Sequence, residues 1–129
     1  MDKVTRFEDL IAWQKALDLT VAVYEVTRRG PFRTDFGLSG QVQRAAVSIP
    51  SNIAEGFERG GRAEFHQFLS TANGSCGELR SHLYVSSRIG YLEQIDFREL
   101  LERAEEVARI VGGLRSTVQQ QRDTPRKKR

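Results

Sequence analysis

The sequence predicts an all-α protein that folds as an antiparallel, up-down-up-down four-helix bundle. Apolar residues recur at spacings of three and four along four segments, each of about 21 to 28 residues. No segment shows the sustained period-two alternation that is typical of a strand. Connections of about four to six residues between such long helices force neighbouring helices to run in opposite directions.

The first predicted helix runs from about 8 to 28. A capping box that starts at Thr5 opens it, and the Gly30-Pro31 pair ends it. Five residues at spacings of three and four form its predicted core stripe: Leu10, Trp13, Leu17, Thr20 and Tyr24.

Three further helices follow. The second spans about 35 to 58 and contains Pro50, which removes a backbone hydrogen bond and either kinks or breaks the helix; the unchanged phase of its apolar stripe favours a kink. The third spans about 62 to 89, and the fourth begins at the capping pair Asp96 and Glu99. Their predicted core positions are Leu38, Val42, Ala45, Ile49, Ile53 and Phe57; Phe65, Leu69, Ala72, Cys76, Leu79, Leu83 and Ser86; and Phe97, Leu100, Ala104, Val107, Val111, Leu114 and Val118.

The first helix also has a second apolar seam, about 110° around the helix from the first. An apolar arc this wide on an outer helix favours burial against a second copy of the chain, so the seam is a candidate subunit interface. The alternative is that the second and fourth helices cover the whole arc. The seam consists of Ala12, Ala16, Leu19, Val23 and Val26.

Four glycines interrupt the third and fourth helices, where each costs roughly 1 kcal/mol relative to alanine. They are Gly74, Gly77, Gly112 and Gly113. Small residues allow close helix packing, either inside the chain or against another subunit.

Charge divides the chain into two parts. Residues 1–121, the bundle domain, carry 15 basic and 16 acidic residues, whereas 122–129 carry five basic and one acidic residue and no apolar residue that would fold them. The second part is predicted to be a basic, disordered tail that either binds phosphates or only keeps the protein dissolved. The candidate nucleic-acid-binding residues are Arg59, Arg62, Arg122, Arg126, Lys127, Lys128 and Arg129.

Composition excludes several classes of protein. No apolar run approaches the ~20 residues of a membrane-spanning helix, and no secretory signal is visible, so the expected location is the cytoplasm with no membrane partner. The single Cys76 forms no intrachain disulfide and occupies a core position. His66 and His82 lie about 160° apart on one helix and therefore do not chelate one metal ion. We expect no metal, no cofactor and no catalytic residue.

The run QRAAVSIPSNIAEG, residues 43–56, closely resembles the signature of the four-helix bundle proteins encoded in intervening sequences of bacterial 23S rRNA genes. Matching pieces extend the resemblance over about residues 7 to 118. The resemblance implies a left-handed bundle assembled as a ring, commonly a pentamer. It also implies kinship with the accessory protein of diversity-generating retroelements, which binds reverse transcriptase and nucleic acid. The biochemical role of the intervening-sequence proteins themselves is unsettled.

Within this signature, polar residues form a stripe beside the apolar one, and a similar stripe flanks the core of the third helix. The two stripes either line a ring lumen or ligand site, or form a hydrogen-bonded network that fixes helix register. Their members are Ser48, Asn52, Glu55, Ser75 and Glu78.

Two functional hypotheses follow. The first is a non-enzymatic ring that binds RNA or DNA nonspecifically, as an accessory to a reverse transcriptase or another nucleic-acid enzyme. In such a ring, five tails of +4 would place about +20 on one rim, enough for salt-sensitive phosphate binding. The second is an assembly scaffold that binds a protein partner and has no direct nucleic-acid role.

Overall fold

The computed structural model describes residues 3–123, with side chains for 3–121. Within these residues the protein has no strand, and the all-α fold class is confirmed. A three-residue 3-10 turn, Phe7–Asp9, precedes five α-helices: α1 (Ile11–Thr27), α2 (Gly30–Thr34), α3 (Phe36–Arg59), α4 (Arg62–Arg88) and α5 (Gln94–Asp123).

The first helix begins later than predicted. Leu10 is extended, with φ −74° and ψ 126°, so the 3-10 turn and α1 are separate, and no side chain caps either of them. The short helix α2 was not predicted. It forms because Gly30 reverses the chain at a positive φ of 49° and Pro31 is preorganised for a first helical turn.

The last helix begins earlier than predicted and extends past the predicted core positions. It begins at Gln94, so Asp96 lies in its first turn instead of at its N-cap. It ends at Asp123, so the backbone of Arg122 belongs to the helix and not to a separate tail. The rest of the predicted tail, 124–129, lies outside the described residues.

The four long helices pack so that each has two close neighbours: α3 and α5 both lie against α1 and α4, whereas no Cα atom of α1 lies within 8 Å of one in α4 among the described residues. Aromatic pairs join neighbours at the loops. The ring centroids of Phe57 in α3 and Phe65 in α4 lie 5.9 Å apart, and those of Tyr84 in α4 and Phe97 in α5 lie 5.2 Å apart. The protein is therefore a helical bundle.

The predicted core positions of α3, α4 and α5 are confirmed. Most of them are buried, whereas Leu38, Phe57, Phe65, Phe97 and Leu114 are only half-buried. Fully buried side chains fill the centre, among them Val42, Ile49, Ile53, Leu69, Cys76, Leu79, Leu83, Ala104 and Val111.

The prediction for α1 is wrong for the seam and right for only two residues of the core stripe. The seam assigned to a subunit interface is buried inside the single chain, with Ala12, Ala16, Leu19, Val23 and Val26 at most 7% exposed. In the predicted core stripe, Leu10 and Thr20 are buried, whereas the other three residues lie at the edge or outside. The small residues of the buried seam let α1 approach α3 and α5 closely, whereas aromatic residues with a polar atom favour a boundary position. Trp13 and Tyr24 are half-buried there, and Leu17 is 40% exposed.

Pro50 lies inside α3, which continues unbroken from Phe36 to Arg59. Because proline has no N–H, the carbonyl of Ala46 loses its helical donor. The hydroxyl of Thr20, a buried residue of α1, replaces that donor. Its Oγ1 lies 3.1 Å from the Ala46 oxygen and 2.8 Å from the Ala16 oxygen, so one proton is shared between two carbonyls. A neighbouring helix thus compensates for the proline.

The glycines differ in what surrounds them. A Cβ built on Gly56 would lie 2.5 Å from the Cβ of Phe68 in α4, so only glycine permits this approach of α3 to α4. In contrast, nothing lies within 4 Å of a Cβ built on Gly74, Gly112 or Gly113. Close packing inside the chain therefore does not explain these three glycines, and contact with another subunit remains the open interpretation.

Candidate functional site

The polar stripes of α3 and α4 meet at three residues. Ser48 and Ser75 share a hydrogen bond of 2.9 Å between their hydroxyl oxygens. Asn52 donates its amide hydrogens to the backbone oxygen of Ser48 at 2.7 Å and to its hydroxyl at 2.9 Å. All three side chains are half-buried. These bonds join α3 to α4 at one relative position, which favours the interpretation that the stripe fixes register.

The two acidic members of the stripe do not join this network. Glu55 forms an ion pair with Arg59, one turn later on α3, at 3.6 Å. Glu78, whose side chain is 61% exposed, lies 3.7 Å from the ring of His82 on α4. Both carboxylates therefore face water, and the sequence prediction overstated the size of the polar cluster.

Of the candidate nucleic-acid-binding residues, Arg59 is already occupied. Its guanidinium lies 3.6 Å from carboxylate oxygens of both Glu55 and Glu64, and 5.3 Å from the ring centroid of Phe68. Neighbouring carboxylates compete with phosphate for this cation. Arg62, at the start of α4, is exposed and forms no ion pair with a described residue.

The other five candidates lie at the C-terminal end of the chain. Arg122 is placed by its backbone alone, as the penultimate residue of α5. Four lie outside the described residues: Arg126, Lys127, Lys128 and Arg129. In the sequence, these four residues begin three positions after Asp123, the last residue of α5.

Helix α1 has an exposed apolar surface outside its buried seam. Ile11 is 62% exposed, Leu17 40% and Val21 51%. Leu17 and Val21 border an open groove of about 750 Å³ between α1 and α5. The groove is also lined by Lys15, Asp18, Glu25, Arg103 and Glu106, so charges of both signs surround the apolar residues.

A contact between loops closes one end of the bundle. The hydroxyl of Tyr91, in the α4–α5 loop, donates a hydrogen bond of 2.9 Å to Asp35, whose other oxygen accepts from the backbone N–H of Leu38 and caps α3. The hydrogen bond with Asp35, then burial and the carboxylate charge, raise the pKa of Tyr91. Phe32 of α2 packs against the same ring.

The described residues show a buried, protonated thiol, no grouped metal ligands and no helix that could span a membrane. Burial raises the pKa of the Cys76 thiol to about 11, so the thiol is protonated at neutral pH, as a core cysteine should be. Within 3–123, no three His, Cys, Asp or Glu side chains are grouped as a metal site requires. No helix in that range has both the length and the apolar character needed to cross a membrane.

The sequence analysis missed two residues that the structure singles out. Thr20 was placed on an apolar stripe, although the unpaired carbonyl created by Pro50 was a signal that a donor must lie opposite. Arg80 was not considered. Its Nε is the one buried side-chain nitrogen or oxygen in the described residues that has no hydrogen-bond partner, and no pattern in the sequence distinguishes it from the other arginines.

Comparison with known proteins gives one family and one fold. The profile of the 23S rRNA-intervening sequence proteins matches residues 8–113. A crystal structure of a protein of unknown function from the S23 ribosomal protein family of Bacteroides thetaiotaomicron superposes with a TM-score of 0.76. The two sequences are 20% identical, and the match covers 82% of this chain and 96% of the other. A search of curated protein sequences finds no match.

Proposed function

Because the chain belongs to the 23S rRNA-intervening sequence protein family, we propose that it acts as a non-enzymatic bundle that assembles into a ring and binds nucleic acid nonspecifically, as an accessory to a larger nucleic-acid enzyme. The observation that carries the proposal is the division of charge. Residues 1–121 sum to −1, and 122–129 sum to +4. The excess of cations is therefore concentrated in the last eight residues of the sequence.

Within this proposal the bundle is antiparallel, up-down-up-down. Contacts between helices support this order, since the end of α1 pairs with the start of α5 through Arg29 and Asp96 at 3.5 Å. Earlier in α1, Lys15 pairs with Glu106, later in α5, at 3.4 Å. The same reversal holds for α3 and α4, whose Phe57–Phe65 contact lies beside their connecting turn.

The ring is supported by two exposed faces on opposite sides of the bundle. Helices α1 and α4 lie diagonally across the bundle, so their outer faces point apart. Both faces expose apolar residues: Leu17 and Val21 on α1, and Val85 on α4. When the face of one copy meets the opposite face of the next, the contact is head-to-tail, and it generates a ring if the rotation closes.

Ring assembly is what makes the tail effective. One tail with +4 binds phosphates weakly, whereas several tails on one rim act together on the same polymer and release more counterions. Arg59 contributes little in this arrangement because its two carboxylate partners offset it. Arg62 is exposed at the end of the bundle where α4 begins, the end that α5 also reaches with its last residues.

A protein-binding scaffold remains the second candidate, and a specific surface favours it. Phe36 at the start of α3 is 80% exposed, and Ile95 at the start of α5 is 70% exposed. Ile89 at the end of α4 is 51% exposed. Large apolar side chains that face water at one end of a bundle are typical of a contact with another protein.

The test compares two variants that lose the same charge. In the first, Arg126, Lys127, Lys128 and Arg129 are replaced by glutamine. In the control, four exposed arginines of the bundle that form no described ion pair are replaced: Arg33, Arg44, Arg88 and Arg98. Affinity for a labelled single-stranded oligonucleotide is measured by fluorescence anisotropy across a salt series.

We expect the tail variant to bind at least about tenfold more weakly at physiological salt, with a shallower salt dependence, because each lost phosphate contact lowers the slope by about 0.7. The control should bind nearly as well as the parent protein. Equal losses in the two variants would show that total charge, not the tail, governs binding. No measurable binding by the parent protein would leave the scaffold as the function.

A further inference from the structure

Arg80 has an incomplete set of partners. The residue lies on α4 and is half-buried, and its Nε is buried without any hydrogen-bond acceptor among the described residues. Its guanidinium takes part in no ion pair of that region. A buried N–H without an acceptor is costly, so the environment of this nitrogen is incomplete as it stands.

The surroundings of Arg80 show what would complete it. It lines an open groove of about 320 Å³ between α4 and α5, together with Asn73, Glu105, Ala108 and Arg109. Arg109 is exposed and also lacks an ion pair among the described residues. Two guanidinium groups and one side-chain amide thus border the same space, and the single carboxylate leaves the lining at +1.

We propose that this groove binds the phosphate group of a small phosphate ester or of a polynucleotide backbone. A guanidinium presents parallel N–H donors that match two oxygens of a phosphate, and the Nε–H is one of these donors. Arg80 supplies that fork from one wall when its side chain turns to bring the buried Nε–H to the groove, and Arg109 supplies a second cation from the other. The amide of Asn73 is the third donor group.

Glu105 sets the affinity of the groove. Its carboxylate lies in the same lining, forms no ion pair within the described residues, and repels an incoming anion. We therefore expect free phosphate to bind more weakly than it would to the same groove without this carboxylate. The site is independent of the proposed tail function, because it lies on the side of the bundle and uses none of the residues after 121.

The test observes the orphan nitrogen directly. Sodium phosphate is titrated into the ¹⁵N-labelled full-length protein at constant ionic strength, with chloride as the replaced anion, and the Arg80 Nε–Hε signal is followed by NMR. We expect a saturable shift of this signal. Arg109→Gln should weaken phosphate binding at least about fivefold, and Glu105→Gln should strengthen it.

Arg98→Gln is the matched control, because it removes an exposed arginine of α5 that does not line the groove, and it should leave phosphate binding unchanged. A shift that does not saturate, or that is equal for every surface arginine, would overturn the proposal. The proposal would also be overturned if the Arg80 Nε–Hε signal shifted in the Glu105→Gln variant but did not respond to phosphate. The partner of Arg80 would then be Glu105.

Two further titrations identify the source of the phosphate. A nucleoside 5′-monophosphate that saturates the Arg80 signal more tightly than inorganic phosphate would identify a small ester as the ligand. A short single-stranded oligonucleotide that does so, also in the variant without the four tail cations, would identify a polynucleotide backbone. Either result supports the phosphate site, and the second separates it from the tail.

Discussion

At the scale of the residue, Thr20 and Pro50 act as a pair across two helices. Thr20→Val keeps the shape of the side chain but leaves the Ala46 carbonyl without a donor, which should lower the free energy of unfolding by about 1–3 kcal/mol. In a Pro50→Ala background, the restored N–H serves that carbonyl, so the same substitution should cost clearly less. Urea unfolding of the four proteins measures this coupling.

Thr20→Ser is the control for the hydroxyl, since it keeps the donor and removes only a methyl group. It should stay close to the parent protein in both backgrounds. If Thr20→Val costs the same with and without Pro50, the hydroxyl is not replacing the missing N–H and the pairing is incidental.

Tyr91 gives the protein a dependence on alkaline pH. Its pKa is raised in the folded protein, first by the hydrogen bond with Asp35. The stabilisation is therefore complete below the ordinary tyrosine pKa of about 10 and is lost as pH rises through the higher folded value. The stability difference between the parent protein and Tyr91→Phe should shrink above about pH 10.

Thermal unfolding of the two proteins from pH 7 to 11 measures this difference. Tyr84→Phe is the matched control, because Tyr84 is more than half exposed and forms no described hydrogen bond through its hydroxyl. A difference between the parent protein and Tyr91→Phe that stays constant with pH would show that Asp35 does not hold the neutral phenol.

At the scale of the element, the α3–α4 contact depends on one glycine. Gly56→Ala introduces a Cβ that meets Phe68 at 2.5 Å and Phe65 at 3.1 Å, and relief of this overlap should cost about 1–3 kcal/mol of unfolding free energy. Gly74→Ala, in open space on α4, should instead stabilise the protein by up to about 1 kcal/mol through helix propensity. Chemical denaturation distinguishes the opposite signs, and a loss of stability in both variants would mean that the space near Gly74 is filled.

The helices show which features sequence periodicity predicts and which it does not. A single apolar stripe, as on α3, α4 and α5, has one face to bury, and the buried residues match the predicted ones because there is no competing solution. Helix α1 has two apolar stripes of similar strength, and periodicity does not choose between them. The folded chain buries the stripe with Ala12 and Ala16, which permits close approach of the neighbouring helices. Trp13 and Tyr24 lie at the boundary.

The candidate site was less predictable for the same kind of reason. Spacing placed Ser48, Asn52 and Ser75 on facing stripes, and their hydrogen bonds confirm the contact. Whether Glu55 and Glu78 join it depends on which rotamer each long side chain adopts, and each found a partner on its own helix. The burial of the Arg80 Nε without a partner depends on packing in the folded chain, which no local sequence pattern reports.

At the scale of the whole molecule, the exposed face of α1 is one of the two contact surfaces of the proposed ring. The parent protein should have a mass that is a multiple of 14.6 kDa in light scattering coupled to size-exclusion chromatography. Leu17→Glu with Val21→Glu places two charges on that face and should release single copies, because desolvating a charge in an apolar interface is costly. Both sites are exposed, so the fold should survive, as circular dichroism can verify.

The control for this assembly prediction is Gln41→Glu with Gln67→Glu, which adds equal charge at exposed polar positions of α3 and α4. It should assemble as the parent protein does. A parent protein that stays at 14.6 kDa over the accessible concentration range would remove the ring and the multivalent rim that depends on it.

The hydrogen bond from the Thr20 hydroxyl in α1 to the Ala46 carbonyl in α3 also limits which parts of this protein can be excised. An excised α3–α4 hairpin would lack Thr20, so the Ala46 carbonyl would have no hydrogen-bond donor within the hairpin. This carbonyl lies at the position where Pro50 already weakens the helix. A designer who transplants the hairpin must therefore restore an N–H at position 50 or supply a donor from the new host. The same coupling restricts evolution, because loss of the hydroxyl at position 20 should cost less stability once Pro50 has been replaced.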